Sequence, residues 1–310
     1  MRLYTNPFLI EKNNDTIITI GTFDGVHLGH KKIFDVLLHS SEQFGCRNVV
    51  LTFEPHPRVV VDPNFDLKLL TTFDEKAALL EELGIEHLVV VPFTKEFSDL
   101  SSEDFINTYI IQAIGVKKLV IGYDHRFGKG RDGDEQKIRS LAEKNGFDVQ
   151  KAEAVSIGDA VVSSSKIRNA LLEGDVKTAA GMLGRNYSYS GIVVAGDKRG
   201  RTLGFPTANI QLDNQHKVVP KNGVYAVRVT FDGRTFNGMM NIGYRPTFKN
   251  TASVLSEVHL LNFNEDIYGK RITVSFCERI RDEKKFESKE ALIQQIENDK
   301  LIIHKLLSTN

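Results

Sequence analysis

Between residues 16 and 155 the chain alternates short apolar runs with longer amphipathic stretches. The apolar runs are Thr16–Ile20, 49–53, His87–Pro92, Lys118–Ile121 and 147–155. Their length and β-rich character predict strands. After the first run, Ile33, Phe34, Leu37 and Leu38 recur at helical spacing. Thr72-Phe73-Asp74-Glu75 reads as a capping box opening a helix that ends near Gly84. The same logic predicts helices over 101–114, stopped by Gly115, and over 134–145, stopped by Gly146. Strands alternating with helices argue for a parallel sheet covered on both faces.

Near residue 184 the period changes. A short helical segment over 175–186 leads through Met182-Leu183-Gly184-Arg185-Asn186 into runs with no helix between them. Strands are expected at 187–194, 218–219, Gly223–Phe231, 234–242, 254–263 and 270–276. Asp232-Gly233, flanked by Phe231 and Arg234, is a hairpin signal. Many short strands in succession point to an antiparallel barrel or sandwich. A closing helix over 288–307 carries apolar residues at Leu292, Ile296, Ile303 and Leu307. The fold class expected is α/β followed by all-β, with domains at 1–184 and 185–310. No internal repeat or low-complexity segment interrupts this.

Composition changes the picture little. At 310 residues, 41% hydrophobic and 26% charged, the chain can build two ordinary cores. Net charge is zero overall, but 1–186 carry 22 basic and 27 acidic side chains and 187–310 carry 18 and 13. That −5/+5 asymmetry supports two units and gives no footprint for nucleic acid. Cys46 and Cys277 alone make neither a disulfide framework nor a metal cluster. No signal-peptide core occurs in residues 1–15 and no run is long enough to span a bilayer. A soluble, cytoplasmic protein without a membrane partner is expected.

The candidate chemistry begins where the first strand ends. Gly21-Thr22-Phe23-Asp24-Gly25-Val26-His27-Leu28-Gly29-His30 joins that strand to a helix, a junction that gathers backbone N–H groups suited to phosphate. Glycines at 21, 25 and 29 permit close approach and φ > 0, and two histidines three apart can face one anion. The purely structural alternative is a tight turn with Asp24 as a cap. Open parallel sheets bind ligands beyond the carboxyl ends of their strands. Glu54-Pro55-His56-Pro57 and Gly122-Tyr123-Asp124-His125-Arg126-Phe127-Gly128 would crowd round that same end. Residues 128–133 happen to match G-x-G-x-x-G, but not in a first βα turn, so a flexible loop is the better account. Ser163, Ser164 and Ser165 stand at a helix start with Lys166 and Arg168 in or near its first turn. Hydroxyls cap such an end, whereas cations there make sense when an anion docks.

In the second half Gly200-Arg201-Thr202-Leu203-Gly204-Phe205-Pro206-Thr207-Ala208-Asn209 concentrates glycine, hydroxyl and amide groups. No Walker A string exists, so a kinase site must be built otherwise. Thr207 and Asn209 fall on one side of an extended segment, and their oxygens suit Mg²⁺. Glu257-Val258-His259-Leu260 puts a carboxylate inside a strand, ordinarily a solvent-facing residue.

Taken together, these strings resemble the bacterial bifunctional riboflavin kinase/FMN adenylyltransferases, or FAD synthetases. His27-Leu28-Gly29-His30 is similar to the His-x-Gly-His signature of nucleotidyltransferases. Residues 163–168, 191–209, 241–248, 257–260 and 268–270 are similar to the rest of the family pattern, with Ser165 in place of a threonine and His125 where phenylalanine is frequent. The resemblance implies a Rossmann-like nucleotidyltransferase sheet and a riboflavin-kinase-type antiparallel β-barrel with a terminal helix. It implies ATP as co-substrate, Mg²⁺ as cofactor, and riboflavin, FMN and FAD as substrates and products, in a monomer or weak oligomer. By the same resemblance, His27, His30 and Arg168 serve AMP transfer. Gly21, Phe23, Asp24, Gly25, Gly29, Ser163, Ser164 and Ser165 surround ATP phosphates, and His56, Pro57 and Asp124 lie toward the flavin. Thr207 contacts phosphate and, with Asn209, holds the metal, while Glu257 takes the ribityl 5′-hydroxyl proton. A transferase for another acceptor, or a flavin binder without turnover, are the competing functions.

Overall fold

The structure is a computed structural model. It describes every residue except Pro63, 124–126, 197–199, 201–202, 246–252 and 309–310, and gives 131, 244–245 and 253–254 by backbone alone. The chain divides into two compact units, Met1–Ser164 and Ser165–Asn310.

The first unit is a six-stranded sheet in the order β1-β4-β3-β2-β5-β6, all neighbours parallel. Its strands are β1 (Arg2–Tyr4), β2 (Thr16–Ile20), β3 (Arg47–Glu54), β4 (His87–Pro92), β5 (Lys118–Ile121) and β6 (Asp148–Lys151). The helices between them are α1 (Leu28–Phe44), α2 (Pro57–Val61), α3 (Phe73–Glu82), α4 (Lys95–Ser98), α5 (Ser102–Phe105) and α6 (Glu135–Asn145). All five residues of β2 are buried, as a central strand covered on both faces requires. Successive side chains leave opposite faces of the sheet. Ile18, Ile20, Leu51 and Val89 join Phe105, Ile110 and Ile138 in one core, whereas Ile17, Val50 and Leu88 join Phe34, Leu37 and Leu80 in the other. Because β3 and β5 flank β2, the chain changes direction of winding at β2, and the loop leaving it opens at the switch point where such sheets bind ligands.

Several elements differ from expectation. The helix predicted over 101–114 begins as α5 but continues as a π-helix, Ile106–Ile114. Its buried Ile106, Ile110, Ala113 and Ile114 keep the i, i+4, i+7, i+8 stripe that predicted a helix, so the apolar pattern gives no sign of the wider i→i+5 bonding. The last predicted strand of the sheet shrinks to β6, and edge strand β1 is an addition. A two-stranded hairpin, β7 (Ser156–Ile157) with β8 (Ala160–Val161), ends the unit.

The second unit carries α7 (Ser164–Glu173, begun in the first), α8 (Val176–Leu183), a barrel and the C-terminal α9 (Lys289–Ser308). The barrel closes in the order β10-β13-β12-β11-β14-β9. Its strands are β9 (Ser188–Val194), β10 (Ala208–Leu212), β11 (Gly223–Phe231), β12 (Arg234–Arg245), β13 (Ser253–Leu260) and β14 (Arg271–Arg281), paired antiparallel. The Asp232-Gly233 hairpin joins β11 to β12 with Phe231 opposite Arg234, as read. Tyr189, Tyr225 and Phe276 are fully buried and meet edge to face. The apolar stripe of α9 at Ile303 and Leu307 packs with Val224, Ala226 and Met239. Buried Asp299 on that helix accepts Arg281 Nε at 2.8 Å and Gln295 Nε2 at 2.8 Å. The strand expected at 218–219 does not form. Val218 is buried and its carbonyl accepts the Tyr187 hydroxyl at 2.5 Å, so apolarity there marks a core plug, not a ladder.

Candidate active sites

The loop leaving β2 is anchored in the core at two points of unusual backbone. Phe23 and Val26 both take positive φ, 49° and 41°, and both are buried in the cluster around Phe34 and Leu37. Such conformations cost energy in non-glycine residues, more so in a β-branched one, and persist where packing over-determines them. Of the three glycines only Gly25 lies at positive φ, 90°. Gly21 and Gly29 serve close approach: a Cβ on Gly21 would stand 2.9 Å from the Phe23 ring, and one on Gly29 3.1 Å from the His27 ring.

His27 is the N-cap of α1. Its Nδ1 accepts the His30 backbone N–H at 3.3 Å, which places its neutral-form proton on Nε2. The His27 and His30 rings stack, centroids 3.6 Å apart and 17° from parallel, and Phe23 meets His30 edge-on. Two imidazoles thus stand as one block at a helix N-terminus.

Asp24 does not cap that helix. Its buried carboxylate accepts the backbone N–H groups of Leu70 at 3.0 Å and Thr71 at 2.9 Å and the Thr71 hydroxyl at 3.2 Å. The Gly25 N–H returns a bond to Thr71 Oγ1 at 3.0 Å. The next residue, Thr72, forms with Glu75 the predicted capping box of α3, and Lys76 reaches back to the Thr22 carbonyl at 3.2 Å. Residues 70–76 therefore brace the loop, a role the sequence pattern did not reveal. The Ser164 hydroxyl, at the start of α7, donates to the Asp24 carbonyl at 2.9 Å, so the structure brings this serine to the loop. Ser163 precedes it, and Ser165 and Arg168 follow on the first turns of α7 in the other compact unit. His56 caps α2 by accepting the Arg58 N–H at 3.2 Å, with Pro57 as the first helical residue. Both lie beyond the carboxyl end of β3, the strand beside β2. Asp124 lies outside the described residues.

On the barrel, register makes the site. Asn209 of β10 stands opposite Glu257 of β13, and Glu257 stands opposite Asn241 of β12. Directly opposed residues share a face, so two carboxamides flank one carboxylate in a row across three strands. Asn209 is 7% exposed. Thr207 comes two residues before it, at the entrance to β10. A Cβ on Gly196 would collide with the Asn209 carboxamide, and one on Gly200 would lie 3.1 Å from Thr207 Oγ1. The adjoining His259 donates Nδ1–H to the Pro206 carbonyl at 2.8 Å and meets Phe205 edge-on, tying 205–207 to β13. Asn241 and His259 are side chains of this face for which sequence reasoning offered no role. Arg201, Thr202 and 246–248 fall outside the described residues.

Comparison with known proteins matches this two-part geometry. A FAD synthetase family model matches residues 9–166 and a riboflavin kinase family model matches 183–307. The Bacillus subtilis (strain 168) bifunctional riboflavin kinase/FMN adenylyltransferase is 42% identical over 294 residues, covering 94% of this chain and 92% of its own. The chain belongs to the bifunctional riboflavin kinase/FMN adenylyltransferase family. An Escherichia coli (strain K12) member is 37% identical over 286 residues, covering 92% of this chain and 90% of its own. A crystal structure from Streptococcus pneumoniae, named a macrolide-efflux protein, shares the fold with a TM-score of 0.90 at 31% identity, covering 98% of both chains. Efflux is a statement about that protein; the shared fold is what it brings to this family member.

Within the family's barrel, His259 gives a pH signature. Burial pulls its imidazole below the ordinary value, opposed by the Pro206 carbonyl. As pH falls, the unfolded chain takes up this proton first. Stability present above about pH 6.5 is therefore lost below it, until the folded imidazole also protonates. Melting temperatures at about pH 7.5 and about pH 5.5 should differ less in His259→Gln than in the natural protein. An equal drop in both would remove His259 from the effect.

Proposed function

We propose that the loop over 21–30 transfers AMP from ATP to FMN, and that the Thr207, Asn209 and Glu257 face of the barrel phosphorylates riboflavin. The observation that carries this is the direct opposition of Asn209 and Glu257 across β10 and β13. It puts an oxygen donor for a phosphate-bound cation beside a carboxylate able to receive an alcohol proton. In the kinase step Glu257 orients the ribityl 5′-hydroxyl and accepts its proton as the oxygen bonds to the γ-phosphorus and ADP leaves. The residues present fit Mg²⁺. Thr207 and Asn209 offer hard oxygens, and glycine at 196 and 200 lets the neighbouring backbone pack closely against both side chains. Among the described residues there is no group of three or more His, Cys, Asp or Glu that could hold a metal; Mg²⁺ commonly takes one or two protein ligands and completes its shell with phosphates and water. When bound, Mg²⁺ neutralises charge on the transferring phosphate oxygens.

Adenylyl transfer needs no protein nucleophile. A phosphate oxygen of FMN attacks the α-phosphorus, the bond to the β-phosphate bridge breaks, and pyrophosphate departs with the electron pair. The protein aligns the two phosphates and stabilises charge at the α-phosphorus. We assign this to His27, His30 and Arg168, with Gly21, Gly25, Gly29 and the serines at 163–165 admitting the polyphosphate. Phe23 and Asp24 hold the loop in shape, and His56, Pro57 and Asp124 lie toward the flavin. We set the working boundary at 184/185 and the compartment as the reducing cytoplasm, which suits two free cysteines.

Incubating the full chain with riboflavin, ATP and Mg²⁺ and chromatographing the flavins tests the assignment. FMN and FAD should both appear, and excess EDTA should abolish FMN formation. FMN without FAD would count against the loop assignment, and unchanged riboflavin would favour a binder without turnover.

A further inference from the structure

Lys76 braces the loop through a hydrogen bond, but the roles above make no use of its charge. It stands on α3, 6% exposed. Its ammonium donates to the Thr22 carbonyl at 3.2 Å and to Thr52 Oγ1 at 3.0 Å. The Thr52 hydroxyl in turn donates to the same Thr22 carbonyl at 3.4 Å. The Phe73 ring centroid lies 5.7 Å away. Both acceptors are neutral, and both belong to the carboxyl ends of central strands, Thr22 just past β2 and Thr52 within β3. No carboxylate among the described residues reaches ion-pairing distance of the ammonium, although Glu54 and Asp24 act on it from further off.

Holding a charge there is costly. Desolvation is the largest influence on this ammonium and pulls its pKa down, with Glu54 and Asp24 opposing. Partial desolvation raises the Glu54 carboxyl as well, with Lys76 opposing. An uncharged side chain of similar length would fill the space, and a glutamine carboxamide, one bond shorter, would keep an N–H donor on the side facing Thr22 and Thr52. Structure alone therefore does not require the charge. A polyphosphate bound at the loop above would. In a water-poor interior a fixed cation acts over longer range than at a surface, and Lys76 lies directly behind the second residue of that loop.

We propose that Lys76 is a positioning residue of adenylyl transfer, its buried charge favouring the nucleotide polyphosphate through the loop it holds at Thr22. This rests on the reading that the loop over 21–30 is the adenylylation site. The resident carboxylates Asp24 and Glu54 would otherwise repel the incoming phosphates, and Lys76 offsets them from the protein side.

The test uses the full-length protein with Lys76→Met and Lys76→Gln. Three quantities are read: the ATP dependence of FAD formation from FMN, riboflavin phosphorylation in the same preparation, and the melting temperature. The KM for ATP in adenylylation should rise about 10- to 100-fold with a smaller change in kcat. Gln should behave like Met, because it keeps donors and loses charge. Riboflavin phosphorylation should be unchanged, and the melting temperature should hold or rise, since a desolvated charge is gone. An unchanged KM in either variant would overturn the proposal. So would a loss in kcat alone that tracks a lowered melting temperature, which would leave Lys76 the hydrogen-bonded brace and nothing more. Should the natural protein form no FAD, the functional reading fails first. Calorimetric ATP binding without flavin then still decides Lys76: one of two binding events weakened in both variants supports it, and unchanged binding overturns it.

Discussion

Glu257→Gln should yield a folded protein that makes FAD from supplied FMN but almost none from riboflavin. The substitution keeps the shape of the side chain and one acceptor oxygen, and removes the basic carboxylate. If Glu257 receives the 5′-hydroxyl proton, riboflavin phosphorylation should fall by about 10²–10⁴. Riboflavin affinity should change far less, because burial of the ring supplies most of it. Glu257 lies between Asn209 and Asn241 in register, so a glutamine fits a row already built of carboxamides, and β13 should pair as before. That makes kinetics the informative readout. A variant with unchanged melting temperature and a normal phosphorylation rate would take Glu257 out of the mechanism.

His30→Ala should produce the opposite pattern, with FMN accumulating and FAD formation depressed by about 10²–10³, the usual consequence of losing one preorganised donor at a transition-state charge. His30 is the cleaner of the two histidines to remove. His27 also caps α1 through its Nδ1, so His27→Ala combines the catalytic loss with a cap loss of about 0.5–2 kcal/mol. Both variants should retain riboflavin phosphorylation, since His27 and His30 belong to the sheet unit and the kinase row to the barrel. Equal loss of both activities in a folded His30→Ala protein would refute the assignment.

The parts legible in the sequence are those written in local periodicity. β2, β4, β5 and β11 coincide with their apolar runs, and Thr72, Asp134 and Gly146 act as the caps their positions suggested. The loop over 21–30 was legible for the same reason, as a contiguous string at a strand–helix junction. What escaped is held by contacts between residues far apart. The clamp of Asp24 on Leu70 and Thr71 spans 46 and 47 residues, and nothing in the 70–76 pattern distinguishes it from an ordinary helix start. Asn241 gained meaning only through pairing, because register decides which side chains share a face. Val218 shows the converse. An apolar dipeptide looks like a strand fragment, yet its carbonyl is taken by the Tyr187 hydroxyl and it fills a core. At Gly21 and Gly29 the neighbouring Phe23 and His27 rings, and not positive φ, favour glycine.

The central claim is that two chemically separate sites work in sequence, joined by FMN. Mixing Glu257→Gln protein with His30→Ala protein, in the presence of riboflavin, Mg²⁺ and ATP, tests it most directly. Each variant alone should form almost no FAD. Together they should form it readily, the His30→Ala protein supplying FMN and the Glu257→Gln protein adenylylating it, with a lag while FMN builds up in solution. A mixture that still makes no FAD, while His30→Ala alone makes FMN and Glu257→Gln alone adenylylates added FMN at low micromolar supply, would contradict two sites linked by free FMN.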